Sequence, residues 1–203
     1  MIEYTLEKEF YDQGYKFVCG VDEAGRGPLC GPVTAAAVIL PDGLVIEGLN
    51  DSKKLTEAKR EALYDVITEQ AIAWSVCEAS VEEINDTNIL EASLLAMRRA
   101  ITSLSVPADF ALIDGNVSRD FPLPVRAVVH GDAISPSIAA ASILAKVTRD
   151  RICRELDLQY PMYGIAKHKG YGTRDHMHAL RMYGPAPIYR TKFIRFLDRD
   201  GES

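Results

Sequence analysis

The sequence feature that most constrains this chain is a short apolar segment that ends abruptly in two adjacent carboxylates. Residues 16–22 predict a buried strand, because an apolar run bounded by turn residues is typical of one. Asp22 and Glu23 therefore lie where the strand ends, which is where α/β proteins place their chemistry. Side chains alternate along a strand, so the two acids can share a site only if the chain bends. Gly25 and Gly27 permit that bend.

Taken alone, this segment is equally compatible with a solvated acidic loop that caps a helix, because short motifs give many false matches. The rest of the chain has to decide between a capping loop and a chemical site.

The hydrophobic pattern along the chain predicts an α/β fold in which helices cover a mixed sheet. Further strands are predicted near residues 31–40, 73–79, 110–114 and 127–132. Helices are predicted near residues 3–14, 56–70, 88–104, 135–159, 173–183 and 188–196. Ser80 and Glu83 have the spacing of a helix capping box. We expect one domain over 1–203, with a catalytic core at about 15–160 and a helical C-terminal appendage at about 161–203.

Composition excludes several classes of protein. With 203 residues, 47% hydrophobic and 26% charged, the chain has ordinary globular composition and enough length for a real core. No apolar stretch is long enough to span a membrane, and the N-terminus lacks a signal-peptide pattern. The four cysteines form no C-x-x-C pair, which favours buried thiols in a reducing compartment. These features predict a cytoplasmic protein with no membrane contact.

The charge is distributed unevenly, although the net charge is only −6. Residues 1–145 hold 11 basic and 22 acidic side chains, and residues 146–199 hold 12 and 5. A basic segment in an acidic protein points to an anionic partner, although a solvated helical surface would give the same pattern.

Three predicted strands end in a carboxylate next to a glycine, or close to one: Asp22 with Glu23, Asp114 and Asp132. Grouping four carboxylates is unfavourable without cations, because like charges raise one another's pKa. Oxygen-rich sites of this kind bind Mg²⁺ or Mn²⁺, and two such ions about 4 Å apart catalyse displacement at phosphorus. The simpler alternative, that each acid caps a turn, weakens when three strand ends share the pattern.

Other catalytic motifs are missing from the sequence. It contains no P-loop, no G-x-G-x-x-G, no G-x-S-x-G and no H-E-x-x-H. Basic side chains suited to holding a phosphate backbone are Lys53, Lys54, Lys146 and Arg149, and the basic segment adds Lys167 and Lys169. Tyr171 lies between two glycines and could present its ring to a sugar or base.

The chain resembles one family, the bacterial ribonucleases HII, or type 2 ribonucleases H. The matching segments are GVDEAGRGP (20–28), LNDSKKL (49–55), LIDGN (112–116), GD (131–132), IAAASILAKVTRD (138–150) and HKGY (168–171). They occur in the expected order over most of the chain from about residue 16 to 175.

The resemblance implies an RNase H-like fold with a five-stranded mixed sheet, flanking helices and a small helical C-terminal region. It implies endonucleolytic cleavage of the RNA strand of RNA–DNA hybrids, including single ribonucleotides in duplex DNA, with 5′-phosphate and 3′-hydroxyl products. By position, the acids match the family's metal site: Asp22, Glu23, Asp114 and Asp132. The Gly25-Arg26-Gly27 turn matches the loop that contacts the ribonucleotide 2′-hydroxyl, and Tyr171 matches the tyrosine that packs on the sugar.

The chain departs from the family pattern at two places. His130 replaces a common Lys before the Gly-Asp pair, and residues 187–193 match only loosely a basic segment ending in Phe. We expect a monomer that binds two Mg²⁺ or Mn²⁺ ions with its substrate.

Two other functions remain open from the sequence. One is a structure-selective DNA nuclease or resolvase with the same fold and metals. The other is a non-catalytic module that binds hybrids, against which the intact acids argue, since pure binding needs no acidic cluster near phosphates.

Overall fold

Five strands form one mixed sheet in the computed structural model, which describes residue 2 and residues 5–197. The strands are β1 (Val18–Ala24), β2 (Val33–Ile39), β3 (Ala73–Ala79), β4 (Phe110–Asp114) and β5 (Val125–Val128). Their order in the sheet is β3-β2-β1-β4-β5. The pairs β1–β2 and β2–β3 are antiparallel, and β1–β4 and β4–β5 are parallel. The predicted five-stranded mixed sheet is confirmed.

Seven α-helices accompany the sheet in the described residues. They are α1 (Thr5–Tyr11), α2 (Glu57–Gln70), α3 (Val81–Asp86), α4 (Ile89–Thr102), α5 (Pro136–Gln159), α6 (Ile165–His168) and α7 (Arg174–Tyr183). Five of them follow a Ser, Thr or Asn whose side-chain oxygen accepts a hydrogen bond from a first-turn amide. None of the described helices is both long and apolar enough to cross a membrane.

The sheet is buried on both faces. One core cluster joins alternate residues of β1 and β2 to α4, and the other joins the opposite residues of β2 to α2 and α5. Helix α5 lies very close to β1, because a Cβ on Gly20 would stand 2.1 Å from the Ser137 carbonyl carbon. Residues 139–141, all alanine, are fully buried in the same cluster. Small residues therefore let α5 reach the end of β1, where the acids are.

The C-terminal residues pack around a smaller core of their own. Tyr163, Ile165, Leu180 and Tyr189 form it together with Cys30 and Cys153. Helices α6 and α7 supply the small helical C-terminal region that the sequence predicts.

Three local predictions differ from the structure. The helix predicted near residues 188–196 is wrong, because Tyr189 is extended and pairs with Cys30, a 3₁₀ turn, Thr191–Phe193, follows, and helical residues begin only at 196. Strand β5 ends at Val128, so Asp132 lies in a separate 3₁₀ turn, Gly131–Ala133. The predicted N-terminal helix is shorter, and its first positions, 3 and 4, lie outside the described residues, as do 198–203 at the end of the predicted domain.

Candidate active site

The parallel pairing of β1 with β4 brings the first acids together. Val21 lies opposite Ile113, so the next positions along the two strands are Asp22 and Asp114. Residues opposite one another on parallel neighbours point to the same face of a sheet. Asp114 is also the last residue of β4, so both acids lie at the carboxyl end of the parallel strands.

Hydrogen bonds from backbone amides hold Asp22 and Asp114 in place. The Glu23 amide donates to Asp22 Oδ1 at 2.7 Å, and the Gly131 amide donates to Asp114 Oδ1 at 2.7 Å. The second bond ties the turn that carries Asp132 to the end of β4. In this way Asp132 reaches the cluster although its strand has already ended.

Basic side chains lie beside two of the acids. Lys53 Nζ lies 3.5 Å from Asp132 Oδ2, and Arg26 lies 3.3 Å from Glu23 Oε1. Burial lowers the pKa of Lys53, but the nearby carboxylates of Asp132, Asp22 and Asp51 together outweigh it and the net pKa is raised. Opposite charges at this range favour the charged forms of both partners.

Three of the acids, Asp22, Glu23 and Asp132, are protonated more readily than isolated carboxyls. Asp22 is 4% exposed, and its pKa is raised well above the usual value by burial and then by Glu23 and Asp114. The pKa of Asp132 is raised by burial and then by Asp114. The pKa of Glu23 is raised mainly by burial, against the effect of Arg26. Neighbouring carboxyls that resist ionisation would ionise more readily beside a bound cation. The raised pKa values therefore favour a cation-binding site.

The donor set fits hard divalent cations. Four carboxylates supply oxygen ligands, which Mg²⁺ and Mn²⁺ prefer, and the raised pKa values show an electrostatic cost that such ions would remove. No three His, Cys, Asp or Glu side chains within residues 5–197 already stand close enough together to form a ready-made metal cage. Here the acids are held instead by amides and by Lys53 and Arg26.

A cavity of about 210 Å³ opens over this cluster. Ten of the twelve predicted site residues line it: Asp22, Glu23, Gly25, Arg26, Gly27, Lys53, Asp114, Lys146, Arg149 and Tyr171. Asp132 and Lys54 do not line it, and Lys54 instead lies 3.8 Å from Asp51. The cavity therefore joins the predicted metal ligands to the predicted substrate-binding residues.

The Gly-Arg-Gly turn and Tyr171 lie side by side in the lining of the cavity. Gly25 has a φ of +97°, which side chains other than glycine rarely adopt, so the bend inferred from the sequence is present. A Cβ on Gly27 would stand 3.2 Å from Tyr171 Cε1, so the tyrosine ring packs on the bare glycine backbone. Tyr171 remains 50% exposed and can meet a ligand with the rest of its ring.

The predicted basic residues differ in position. Lys53 is exposed at the cavity. Lys146 also lines the cavity, and its Nζ donates to Asp150 Oδ1 at a distance of 2.6 Å. Arg149 is only 2% exposed, lies against Gly25 and donates to the Cys30 carbonyl. It lies beneath the Gly-Arg-Gly turn, so its guanidinium is not placed like a surface phosphate contact.

Six more residues line the cavity: Ala24, Pro28, Ser52, Ser142, Asp150 and Lys169. Lys169 has a sequence signal, because it belongs to the basic segment and stands shortly before Tyr171. Ser142 has none, since a serine within an alanine-rich helix resembles any other small packing residue.

A buried histidine fixes the backbone of Tyr171. His176 is fully buried and hydrogen-bonds the Tyr171 carbonyl through Nδ1 at 2.9 Å and the Tyr189 hydroxyl through Nε2 at 2.8 Å. Burial lowers its pKa, which keeps the ring neutral. The four cysteines are free, and three of them are buried, as expected for packing thiols.

Comparison with known proteins gives consistent matches. The family model described as Ribonuclease HII matches residues 19–196. The chain is 54% identical to the ribonuclease HII of Acetivibrio thermocellus over 189 residues, which cover 93% of this chain and 74% of the relative.

Solved structures show the same fold. The ribonuclease H2 of Pyrococcus horikoshii OT3 matches with a TM-score of 0.76 and 27% identity over 93% of this chain and 100% of that one. A Bst-RNase HIII in complex with Mn²⁺ matches with a TM-score of 0.59 and 17% identity, over 83% of this chain and 70% of that one.

Proposed function

This chain belongs to the ribonuclease HII family and is a ribonuclease H enzyme, and we propose that it nicks duplex DNA at single embedded ribonucleotides as well as cutting the RNA strand of RNA–DNA hybrids. The observation that carries the proposal is the cavity in which a Gly-Arg-Gly turn adjoins an acidic cluster. Reading the sugar and breaking the neighbouring phosphodiester would then occur at one place.

The acids are the proposed metal ligands. We assign Asp22 and Asp114 to the ion shared with the scissile phosphate, with Glu23 and Asp132 supporting the pair. Two Mg²⁺ or Mn²⁺ ions bound there would supply an activated water and stabilise the leaving 3′-oxygen, which leaves 5′-phosphate and 3′-hydroxyl ends. The Gly131 amide would keep the Asp114 carboxylate oriented, since it already donates to Oδ1.

The Gly-Arg-Gly turn is the proposed reader of the ribonucleotide. Distinguishing RNA from DNA at one nucleotide requires contact with the 2′-hydroxyl, which both donates and accepts hydrogen bonds. Backbone groups of Gly25, Arg26 and Gly27 line the cavity beside Asp22 and can make that contact. Tyr171 would pack on the adjoining sugar with its exposed ring face.

Lysines at the cavity are the proposed phosphate contacts. Lys53, Lys146 and Lys169 line it from three different segments of the chain. They would neutralise the phosphate backbone without reading bases. Lys54 would contribute at the margin, and Arg149 would add positive charge from beneath the turn.

We extend the proposal to the setting of the enzyme. It would act as a monomer in the cytoplasm, where removal of ribonucleotides from DNA is a repair reaction, and it would use Mg²⁺ or Mn²⁺.

The experiment compares one DNA duplex with and without a single ribonucleotide, over a titration of Mg²⁺ and of Mn²⁺. Metal-dependent cutting of the ribonucleotide-containing duplex alone is the expected result. Equal cutting of both duplexes would favour a DNA nuclease or resolvase. Selective binding of hybrids with no cutting at any metal concentration would favour a binding module.

A further inference from the structure

The C-terminal segment carries a fully buried arginine whose hydrogen bonds all go to the backbone around the Gly-Arg-Gly turn. Arg190 is 0% exposed. Its Nε and two terminal nitrogens donate to the carbonyls of Gly25 (2.6 Å), Arg26 (3.0 Å), Pro28 (2.8 Å), Gly31 (2.9 Å) and Pro32 (3.1 Å). A guanidinium has five N–H donors, so this set uses its whole capacity.

Backbone pairing holds Arg190 in register with the turn. The Arg190 amide donates to the Leu29 carbonyl at 2.9 Å, and the Gly31 amide donates to the Ile188 carbonyl at 2.9 Å. The Leu29 amide in turn donates to the Gly170 carbonyl at 2.8 Å, next to Tyr171. Residues 188–190 are therefore linked both to the chain that follows the Gly-Arg-Gly turn and, through Leu29, to the backbone next to Tyr171.

The charge of Arg190 is not neutralised by a carboxylate. No ion pair within the described residues includes Arg190 or the neighbouring Arg149. Burial and then Arg149 lower the pKa of Arg190 to about 10, so it is protonated at neutral pH. Burying a cation costs free energy unless its donors are satisfied, and five carbonyl dipoles satisfy them. The positive charge of Arg190 therefore lies behind the Gly-Arg-Gly turn, and the anionic phosphate backbone of a nucleic acid would approach this turn from the cavity.

The amide side of the turn is left available. Within residues 5–197 the amides of Gly25, Arg26 and Gly27 take part in no backbone hydrogen bond outside the helices and strands, while the carbonyls of Gly25 and Arg26 are bound to Arg190. We propose that Arg190 is the positioning residue that fixes the Gly-Arg-Gly turn from behind, so that its amide side is set for the 2′-hydroxyl. This inference rests on the proposed function, because it takes the turn to be the reader.

The test replaces Arg190 while keeping its charge. In Arg190→Lys an ammonium donates from one point and cannot span five carbonyls, so the turn loosens. Arg99→Lys is the matched control, because Arg99 also binds a carbonyl, that of Glu78, and the Glu83 carboxylate, but lies outside the cavity lining. Both variants are compared with the wild type well below their melting temperatures.

Two readouts are measured on folded protein. Hydrogen exchange followed by mass spectrometry reports on residues 25–31, where the Leu29 and Gly31 amides are now hydrogen-bonded. Binding in EDTA reports the affinity for a one-ribonucleotide duplex divided by that for the all-DNA duplex. In Arg190→Lys we expect faster exchange at 25–31 and a ribonucleotide preference lowered about tenfold, with Arg99→Lys within about twofold of wild type on both.

The possible outcomes distinguish a failure of the positioning role of Arg190 from a failure of the proposed function. Unchanged exchange at 25–31, or an unchanged preference in a folded Arg190→Lys, would overturn the positioning role. A wild type with no ribonucleotide preference would overturn the proposed function, and the exchange result would still decide whether Arg190 fixes the turn. If Arg190→Lys does not fold, Phe193→Leu gives the milder test, since its ring centroid lies 5.3 Å from the guanidinium carbon. The same direction of change is then expected, and no change overturns the inference.

Discussion

At the scale of single residues, the cavity shows how position decides between similar side chains. Lys53 and Lys54 are neighbours in sequence, yet only Lys53 lines the cavity and lies within 3.5 Å of an acid of the cluster. Lys54 is directed to Asp51 outside it. The two lysines therefore have different environments, although they belong to the same basic motif.

This difference predicts unequal effects on binding. Lys53→Ala should weaken binding of a ribonucleotide-containing duplex and reduce the slope of log affinity against log salt by about 1, because one phosphate contact is lost. Lys54→Ala should change the slope by much less. Binding is measured in EDTA over a range of salt concentrations. Equal slopes for the two variants would contradict the assignment of Lys53 to the phosphate backbone.

At the scale of elements, the close approach of α5 to β1 decides where the site can form. Gly20→Ala would place a Cβ 2.1–2.4 Å from the backbone of Ser137 and Ile138. Overpacking of this kind costs about 1–3 kcal/mol or more, because two main chains must separate. The expected result is a lower urea midpoint with an unchanged slope. Gly172→Ala is the control, since its Cβ would meet Leu29 at an ordinary 3.5 Å.

The capping box at the start of α3 predicts a dependence of stability on pH. Glu83 binds both terminal nitrogens of Arg99 and the Ser80 amide, and these bonds lower its pKa to about 2. Because the folded pKa is below the usual value of 4.5, this contribution is complete above pH 4.5 and is lost as the pH falls toward 2.

Glu83→Gln should therefore lower the free energy of unfolding at pH 7 by about 1 kcal/mol, since partly exposed pairs are screened by solvent. The variant should also lose stability less steeply than wild type below pH 4.5. Urea unfolding between pH 7 and pH 3 measures both effects, with Glu69→Gln, an exposed acid of α2, as control. Parallel pH profiles for wild type and Glu83→Gln would refute the role given to the box.

The elements also show what could be predicted from the sequence. Strands β1 and β4 were predictable because each is a short apolar run that ends at an acid with a glycine within the next three positions. The helix predicted near 188–196 was wrong because its apolar spacing comes from packing in the C-terminal core, while Tyr189 pairs with Cys30. The partners of Arg190 were not predictable. They are backbone carbonyls up to 165 residues away, and carbonyls leave no mark on the sequence.

At the scale of the whole molecule, the net charge misleads about the partner. The chain carries −6, but its cavity gathers lysines from distant segments around an acidic floor, with two buried arginines behind the turn. Bound divalent cations would remove the floor's repulsion of phosphate. On the proposed assignments, the acids, the Gly-Arg-Gly turn and the lysines would then act as one site.

The most direct test of this account is the activity and binding of Asp22→Asn. The amide keeps the shape of the side chain but removes the charge of a proposed metal ligand that is 4% exposed in the cluster. We predict a folded variant that still prefers a one-ribonucleotide duplex in EDTA. Its cleavage should fall on the order of a thousandfold or more at every Mg²⁺ and Mn²⁺ concentration, because metal-borne stabilisation of several kcal/mol is lost. Asp12→Asn, an exposed acid elsewhere, should cleave as wild type. Metal-dependent cleavage by Asp22→Asn within tenfold of wild type would contradict the account.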